Sequence, residues 1–150
     1  MPRNAVAYDD DFFAWTQEQA RLLRARDFTQ IDIENVAEEL ESMGRSDRRE
    51  IESRLEVLLT HLLKWQVQTN LRSSSWSGTI REQRRRIGKL LRESPSLALV
   101  IGPLIPEAYG EGREKAALET GLAATFFPAD CPYTPEEVLD EDFLPEDQTA

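Results

Sequence analysis

The only histidine of the chain limits the chemistry that its side chains can perform. Arg54 and His61 have a spacing that puts both side chains on one face of a helix, two turns apart. A histidine of this kind moves a proton, and the arginine beside it stabilises the negative charge of a phosphate. Lys64 and Gln68 continue the same narrow polar seam and are candidate contacts for an anion or a partner. The simplest interpretation is that the seam packs against carboxylates of another helix, with His61 as a hydrogen-bonding residue.

An enzyme hypothesis follows from the same pair. Small helical ribonucleases of the HEPN class resemble this arrangement, with an arginine followed along one helix by a histidine. The resemblance implies a metal-free ribonuclease that uses Arg54 and His61 as its candidate catalytic residues. The residues between the two are mostly apolar here, where that class places a polar residue after the arginine.

Metal and cofactor chemistry has little support in this sequence. Carboxylate di-iron bundles need Glu-x-x-His pairs, but Leu58 stands three residues before the single histidine. No phosphate-binding loop, dinucleotide fingerprint or Ser/His/Asp order is present. Cys131, between Asp130 and Pro132, has no neighbouring base to activate it. We expect no metal and no cofactor, and the sequence favours a binding protein over an enzyme.

A basic stripe marks the next helical segment, and its residues are candidate contacts for an anion or a partner. It consists of Arg81, Arg85, Lys89 and Arg92, and it follows Arg72 at the start of a serine turn. No aromatic residue interleaves the stripe for base stacking, and the whole chain carries a net charge of −10. These features disfavour nucleic acid as the partner and favour a solvated face.

The charge is divided unevenly along the 150 residues. The net charge is −5 over residues 1–50, +5 over 51–100 and −10 over 101–150. The leading hypothesis is a non-enzymatic protein-interaction module that uses its acidic part, residues 107–147, against a basic partner. An antitoxin-like protein that neutralises a basic toxin is an alternative, and a homo-oligomer is another possible assembly. One cysteine and the lack of a signal peptide or spanning segment predict a cytoplasmic protein with no membrane contact.

Helical periodicity and capping signals predict the elements that carry these residues. We expect an all-α fold, an irregular bundle of six or seven helices around a long central helix. The predicted helices cover residues 11–26, 33–43, 46–70, 76–93, 96–101, 106–120 and 135–140. Gly44 and Pro103 are predicted to end helices, and Ser75 is predicted to cap the fourth. The chain is predicted to form a single domain over residues 1–150, with an ordered core over about 8–144 and flexible termini.

Eight short motifs identify a family. In order along the chain they are Phe12–Trp15, Gln19–Arg24, Glu38–Ser46, His61–Gln66, Arg72–Trp76, Ser94–Leu97, Glu119–Leu122 and Cys131–Thr134. Together they resemble the bacterial domain-of-unknown-function family twenty-nine over about residues 8–144. The resemblance implies an α-helical protein and implies no catalytic activity.

Overall fold

All of the regular secondary structure in the described residues is helical. The computed structural model describes residues 7–148. Its α-helices are α1 (Phe12–Ala25), α2 (Ile33–Val67), α3 (Ser74–Glu93), α4 (Ala98–Thr120) and α5 (Pro135–Leu139). Short 3-10 helices cover Thr69–Leu71, Pro95–Leu97 and Ala124–Phe126. The all-α prediction is confirmed, with five helices in place of the expected six or seven. Part of the predicted flexible termini, residues 1–6 and 149–150, lies outside the described residues.

The chain divides into two compact units, Met1–Ser46 and Asp47–Ala150. The first contains α1 and residues 33–46 of α2. The second contains the rest of α2 and all later elements. A single domain over residues 1–150 stays a prediction.

The first unit is a helical hairpin held by side chains of α1. The Asp11 carboxylate accepts a hydrogen bond from the Ala14 N–H at 3.0 Å and caps α1, which ends at Arg26 in the left-handed conformation (φ 59°). Buried Trp15 donates to the Asp32 carboxylate at 3.1 Å. The side-chain oxygen of buried Gln19 accepts from the Asp32 N–H at 2.8 Å. These bonds fix the point at which α2 starts.

Gly44 does not end a helix, so the two predicted helices 33–43 and 46–70 are one, Ile33–Val67. A helical glycine costs only about 1 kcal/mol, which neighbouring turns can offset. Arg45 spans the glycine by pairing with Glu38 at 2.8 Å and with Glu41 at 3.8 Å. These pairs favour continued helix over the left-handed turn that a terminal glycine would adopt.

The core of the second unit forms around the apolar arc of α2. Six of its residues are completely buried: Ile51, Leu55, Leu58, Leu59, Leu62 and Leu63. They join buried side chains of α3, of α4 and of the C-terminal segment: Ile80, Ile87, Ile101, Leu104, Ile105, Ala108, Tyr109, Ala116, Phe127, Tyr133 and Val138. The wide arc explains why α2 meets several neighbours.

Pro103 does not end a helix either, because α4 runs through both Pro103 and Pro106. The predicted helices 96–101 and 106–120 are therefore one, preceded by a 3-10 turn at Pro95–Leu97. Each internal proline loses a hydrogen bond and costs about 3 kcal/mol. Gly102 relieves the clash that a β-carbon would make with the Pro103 ring. Burial of the flanking apolar residues of α4 offsets the remaining cost, at about 1.5–3 kcal/mol for each large side chain.

Local capping chemistry explains where two of the helices start. α3 starts at Ser74 and not at 76, because the extended backbone at Ser73 lets its hydroxyl accept from the Trp76 N–H at 3.2 Å. Ser75 is thus inside the helix. At α5 the predicted capping box is present: Thr134 and Glu137 each accept from the other's backbone N–H.

Candidate functional site

The two candidate catalytic residues have separate partners. Arg54 pairs with Glu50 at 2.9 Å and donates to the Gln83 side chain of α3 at 3.2 Å. The Nδ1 atom of half-buried His61 lies 2.8 Å from the Val57 carbonyl oxygen, one turn earlier. Because a carbonyl only accepts, Nδ1 is the donor in this hydrogen bond. Arg54 and His61 are about 10 Å apart along the helix axis. Cleavage of RNA by this pair stays a prediction.

Lys64 and Arg72 each rest on a tryptophan ring. The Lys64 ammonium lies 4.8 Å from the centre of the Trp76 ring, and it pairs with Glu119 of α4 at 3.0 Å. The Arg72 guanidinium lies 5.0 Å from the centre of the Trp65 ring. Both cations therefore make cation–π contacts that tie elements of the second unit together.

Arg72 also ties down the C-terminal segment. Its Nε donates to the Trp65 carbonyl at 2.7 Å, and its Nη2 contacts the Asp147 carboxylate at 2.5 Å. The next residue, Gln148, donates its backbone N–H to the Gln66 carbonyl at 3.1 Å. The guanidinium predicted to contact an anion thus has an internal carboxylate as its partner.

Gln68 lines an open cleft of about 680 Å³ at the end of α2. The other lining residues are apolar or uncharged: Val67, Thr69, Asn70, Leu71, Leu122, Phe126 and Gln148. The Gln148 side chain donates to the Phe126 carbonyl at 3.2 Å and closes one wall. Among residues 7–148, those that line the cleft carry no charged side chain.

A second cavity, of about 380 Å³, lies beside the cysteine. Burial raises the pKa of the Cys131 thiol, which donates to the Tyr133 carbonyl at 3.5 Å. Burial also raises the pKa of Tyr109 to about 12 and raises the pKa of Tyr133. All three groups are neutral near pH 7, so none of them is an activated nucleophile.

Two of the four residues in the basic stripe of α3 have internal partners. Arg85 makes two hydrogen bonds to Glu82, at 3.0 and 2.9 Å, and Lys89 lies 3.9 Å from Glu93. Arg81 and Arg92 are exposed, and neither has an ion-pair partner within residues 7–148. Binding of an anion or a partner by the stripe stays a prediction.

Arg84, which the sequence analysis missed, is the buried cation of α3. It is 4% exposed and donates to the carbonyls of Val138, Phe143 and Glu137 at 2.8, 2.7 and 3.2 Å. Burial lowers its pKa, while the charge of Asp140 opposes that shift. Arg84 follows buried Ile80 by four residues and precedes buried Ile87 by three. This helical spacing is the signal in the sequence that places Arg84 on the internal face of α3. Arg84 fastens the C-terminal segment to α3 and does not face solvent.

The acidic part of the chain keeps one uncommitted carboxylate row. Glu107, Glu111 and Glu114 are exposed on α4 at helical i, i+4, i+7 spacing. None of the three has an ion-pair partner in the described part of the chain. Other acidic groups have internal roles, since Glu119 and Asp147 pair with cations of the second unit.

An apolar helix face in the first unit has no cover in the described chain. Ile33, Leu40 and Met43 are 61, 64 and 66% exposed, and Ala37 and Gly44 between them are also exposed. We name these five residues the hairpin face. Within residues 33–46 of α2, the half-buried residues are instead Asn35, Val36, Glu39 and Ser42. The Glu39 carboxylate accepts a hydrogen bond from the Tyr8 hydroxyl, which raises the pKa of Tyr8 to about 12.

The described residues also bear on metal and membrane binding. Within residues 7–148, no group of three or more His, Cys, Asp or Glu side chains is arranged to hold a metal ion. None of the described helices combines the length and apolar character needed to cross a bilayer.

Comparison with known proteins identifies the family. No curated protein and no solved structure matches the chain. A family model described as Domain of unknown function DUF29 matches residues 7–144. This range covers all five helices and every motif on which the resemblance depends. The chain therefore belongs to the DUF29 family, whose function is unknown.

Proposed function

We propose that this protein is a non-enzymatic interaction module that binds protein through the hairpin face. The observation that supports the proposal is the exposure of Ile33, Leu40 and Met43 on a single side of α2. Scattered exposed apolar residues are ordinary on a protein surface, but a contiguous apolar stripe marks a contact surface.

The energetics favour an occupant for this face. Complete burial of an Ile, Leu or Met side chain contributes about 1.5–3 kcal/mol. The hairpin face offers three such side chains on one rigid helix, so little conformational entropy is lost when it is covered. Arg54, His61 and Lys64 of the seam on α2, in contrast, already have partners within the second unit.

Site-specific photo-crosslinking in cells tests the proposal. A photoreactive amino acid at position 40 of the full chain should form covalent adducts with protein. The same group at position 38 is the control, because Glu38 is exposed but lies on the far side of α2 from Leu40, two residues or about 200° away. Equal labelling from both positions, or none from position 40, would contradict a protein contact at the hairpin face.

A second candidate function is binding of a basic partner, including a basic toxin, through the acidic row on α4. It is supported by the exposed, uncommitted carboxylates of Glu107, Glu111 and Glu114. A basic helical peptide is a suitable probe, with affinity measured by fluorescence anisotropy. Glu111→Lys should weaken binding, and Glu146→Lys, also exposed but outside the row, should leave it unchanged. Equal losses for both variants would indicate attraction to the net charge alone.

A further inference from the structure

Large and small residues alternate along the centre of the hairpin face. Ile33, Ala37, Leu40 and Gly44 follow one another at intervals of four, three and four residues, which makes a nearly straight row on a helix. Ile33 and Leu40 project from the row, and Ala37 and Gly44 form shallow positions. At Gly44 a β-carbon would meet nothing within 4 Å, so that position is open to an incoming side chain.

This row is complementary to itself when it is reversed. We infer that the hairpin face binds a second copy of the chain, with the two α2 helices antiparallel around a two-fold axis. Leu40 of each copy then sits on Ala37 of the other, and Ile33 sits on Gly44. Every layer pairs a large residue with a small one, as close helix packing requires. The inference rests on the proposed function and names its partner.

A parallel arrangement fits the same row poorly. It would place Leu40 against Leu40 and Gly44 against Gly44, so that one layer is overfilled and the next is empty. The antiparallel arrangement also brings Val36 and Met43, on one edge of the row, next to each other across the axis. A two-fold axis is the usual symmetry of a pair that uses the same surface twice.

α1 does not stand in the way of a second copy. The residues of α2 that α1 and its preceding segment contact, through the bonds at Asp32 and Glu39, lie beside the row and not on it. From Ile33 to Gly44 the row is about 16 Å long at 1.5 Å per residue. Two such faces bury an area at the low end of specific interfaces, below about 1,200 Å², so the dimer should be weak and reversible.

The other edge of the row gives the dimer a distinctive salt dependence. Glu34 and Glu41 are exposed there, and the two-fold axis brings the carboxylates of the two copies toward each other. Salt screens repulsion between exposed like charges over about 10 Å at 0.1 M. Dimerisation should therefore strengthen as salt is raised, whereas attraction between this acidic chain and a basic partner should weaken.

Analytical ultracentrifugation of the full chain tests the inference. Wild type should show a reversible monomer–dimer equilibrium that shifts toward dimer with salt. Leu40→Glu should raise the dimer dissociation constant by about 100-fold or more, because each dimer loses two buried leucines. Leu118→Glu is the matched control, since Leu118 is 84% exposed on α4 and outside the face. Circular dichroism checks that both variants remain helical.

Disulfide trapping tests the direction of the helices. In a Cys131→Ser background, the double variant Ile33→Cys/Gly44→Cys should form a covalent dimer on oxidation, since opposed residues come within disulfide distance. Gly44→Cys alone should not. Efficient trapping by the single variant would overturn the antiparallel arrangement. A wild-type chain that stays monomeric at all concentrations and salt levels would overturn the inference, even if crosslinks to other proteins from position 40 upheld the proposed function.

Discussion

Two glycines of α4 should respond in opposite directions to the same substitution. Gly110 and Gly112 are both helical residues in the interior of α4. A β-carbon at Gly110 would meet nothing within 4 Å. A β-carbon at Gly112 would lie 3.2 Å from the Glu56 carbonyl oxygen and 3.3 Å from both the Leu59 β-carbon and the Thr60 nitrogen. Gly112 is therefore where α4 approaches the backbone of α2.

The expected magnitudes follow from these distances. Replacing an unhindered helical glycine by alanine stabilises a protein by about 0.5–1 kcal/mol, because the unfolded chain loses conformational freedom. Gly110→Ala should gain this amount. Gly112→Ala gains the same amount, but its new β-carbon must push α4 and α2 apart by a few tenths of an ångström. Overpacking of this kind costs about 1–3 kcal/mol. The net change at Gly112 should be a loss of about 1 kcal/mol.

Separation of α4 from α2 would also weaken a specific hydrogen bond. The Thr60 hydroxyl donates to the Glu56 carbonyl at 2.6 Å and lies 3.3 Å from the Gly112 carbonyl oxygen. Because Thr60 is buried, a bond to solvent cannot replace its hydrogen bond to the Gly112 carbonyl if the two helices separate. This loss adds to the cost at Gly112 and has no counterpart at Gly110.

Urea unfolding followed by circular dichroism measures both variants, with unchanged slopes as the check that only stability differs. A change of 1 kcal/mol moves the melting temperature of a chain of this size by about 2–4 °C. Gly110→Ala should melt higher than wild type and Gly112→Ala lower. If Gly112→Ala were as stabilising as Gly110→Ala, the close approach of α4 and α2 would be refuted.

Two further predictions concern charged groups of α3. In urea unfolding, Arg84→Met should lower the free energy of unfolding by about 3 kcal/mol, because buried carbonyl oxygens lose a charged donor. Arg81→Met, at an exposed position, should leave that free energy within about 0.5 kcal/mol of the wild-type value. Hydrogen bonds from Arg85 and Arg86 hold the pKa of Glu82 at about 2, below the ordinary 4.5. The stabilisation that Glu82 provides is therefore complete above pH 4.5 and is lost as the pH falls toward 2. A carboxyl NMR titration midpoint near 4.5 would contradict the second prediction.

Local capping signals identified several helix ends correctly. Thr134 and Glu137 bond to each other's backbone as predicted, and α1 lies within one residue of its predicted bounds at each end. Such signals work because the groups that satisfy a free N–H lie within three residues of it. The chain therefore carries all the information about those ends in one short segment.

The helix breakers misled the prediction because the contacts of other side chains decide their effect. Gly44 and Pro103 each raise the local cost of a helix by a few kcal/mol at most. Arg45 offsets that cost at Gly44 through ion pairs, and burial offsets it at Pro103. Neither the strength of a pair nor the depth of burial is available from periodicity alone.

The candidate site residues show the same limit. The spacing of Lys64 and Arg72 predicts that both are available to a ligand, and it says nothing of the tryptophan rings and carboxylates that they contact. Arg84 lies within the same basic segment and is buried. A run of arginines is therefore consistent with solvated, paired and buried side chains, and only three-dimensional contacts separate these cases.

Periodicity established that Ile33, Leu40 and Met43 share a face, but it left open what covers that face. In most small proteins an apolar stripe is covered by the chain itself. Instead, Trp15 of α1 donates to the Asp32 carboxylate just before α2, and Tyr8, which precedes α1, donates to the Glu39 carboxylate of α2. Hydrogen bonds fix the hairpin geometry without burying the stripe, so the first unit is held together and keeps its apolar row for a contact outside the chain.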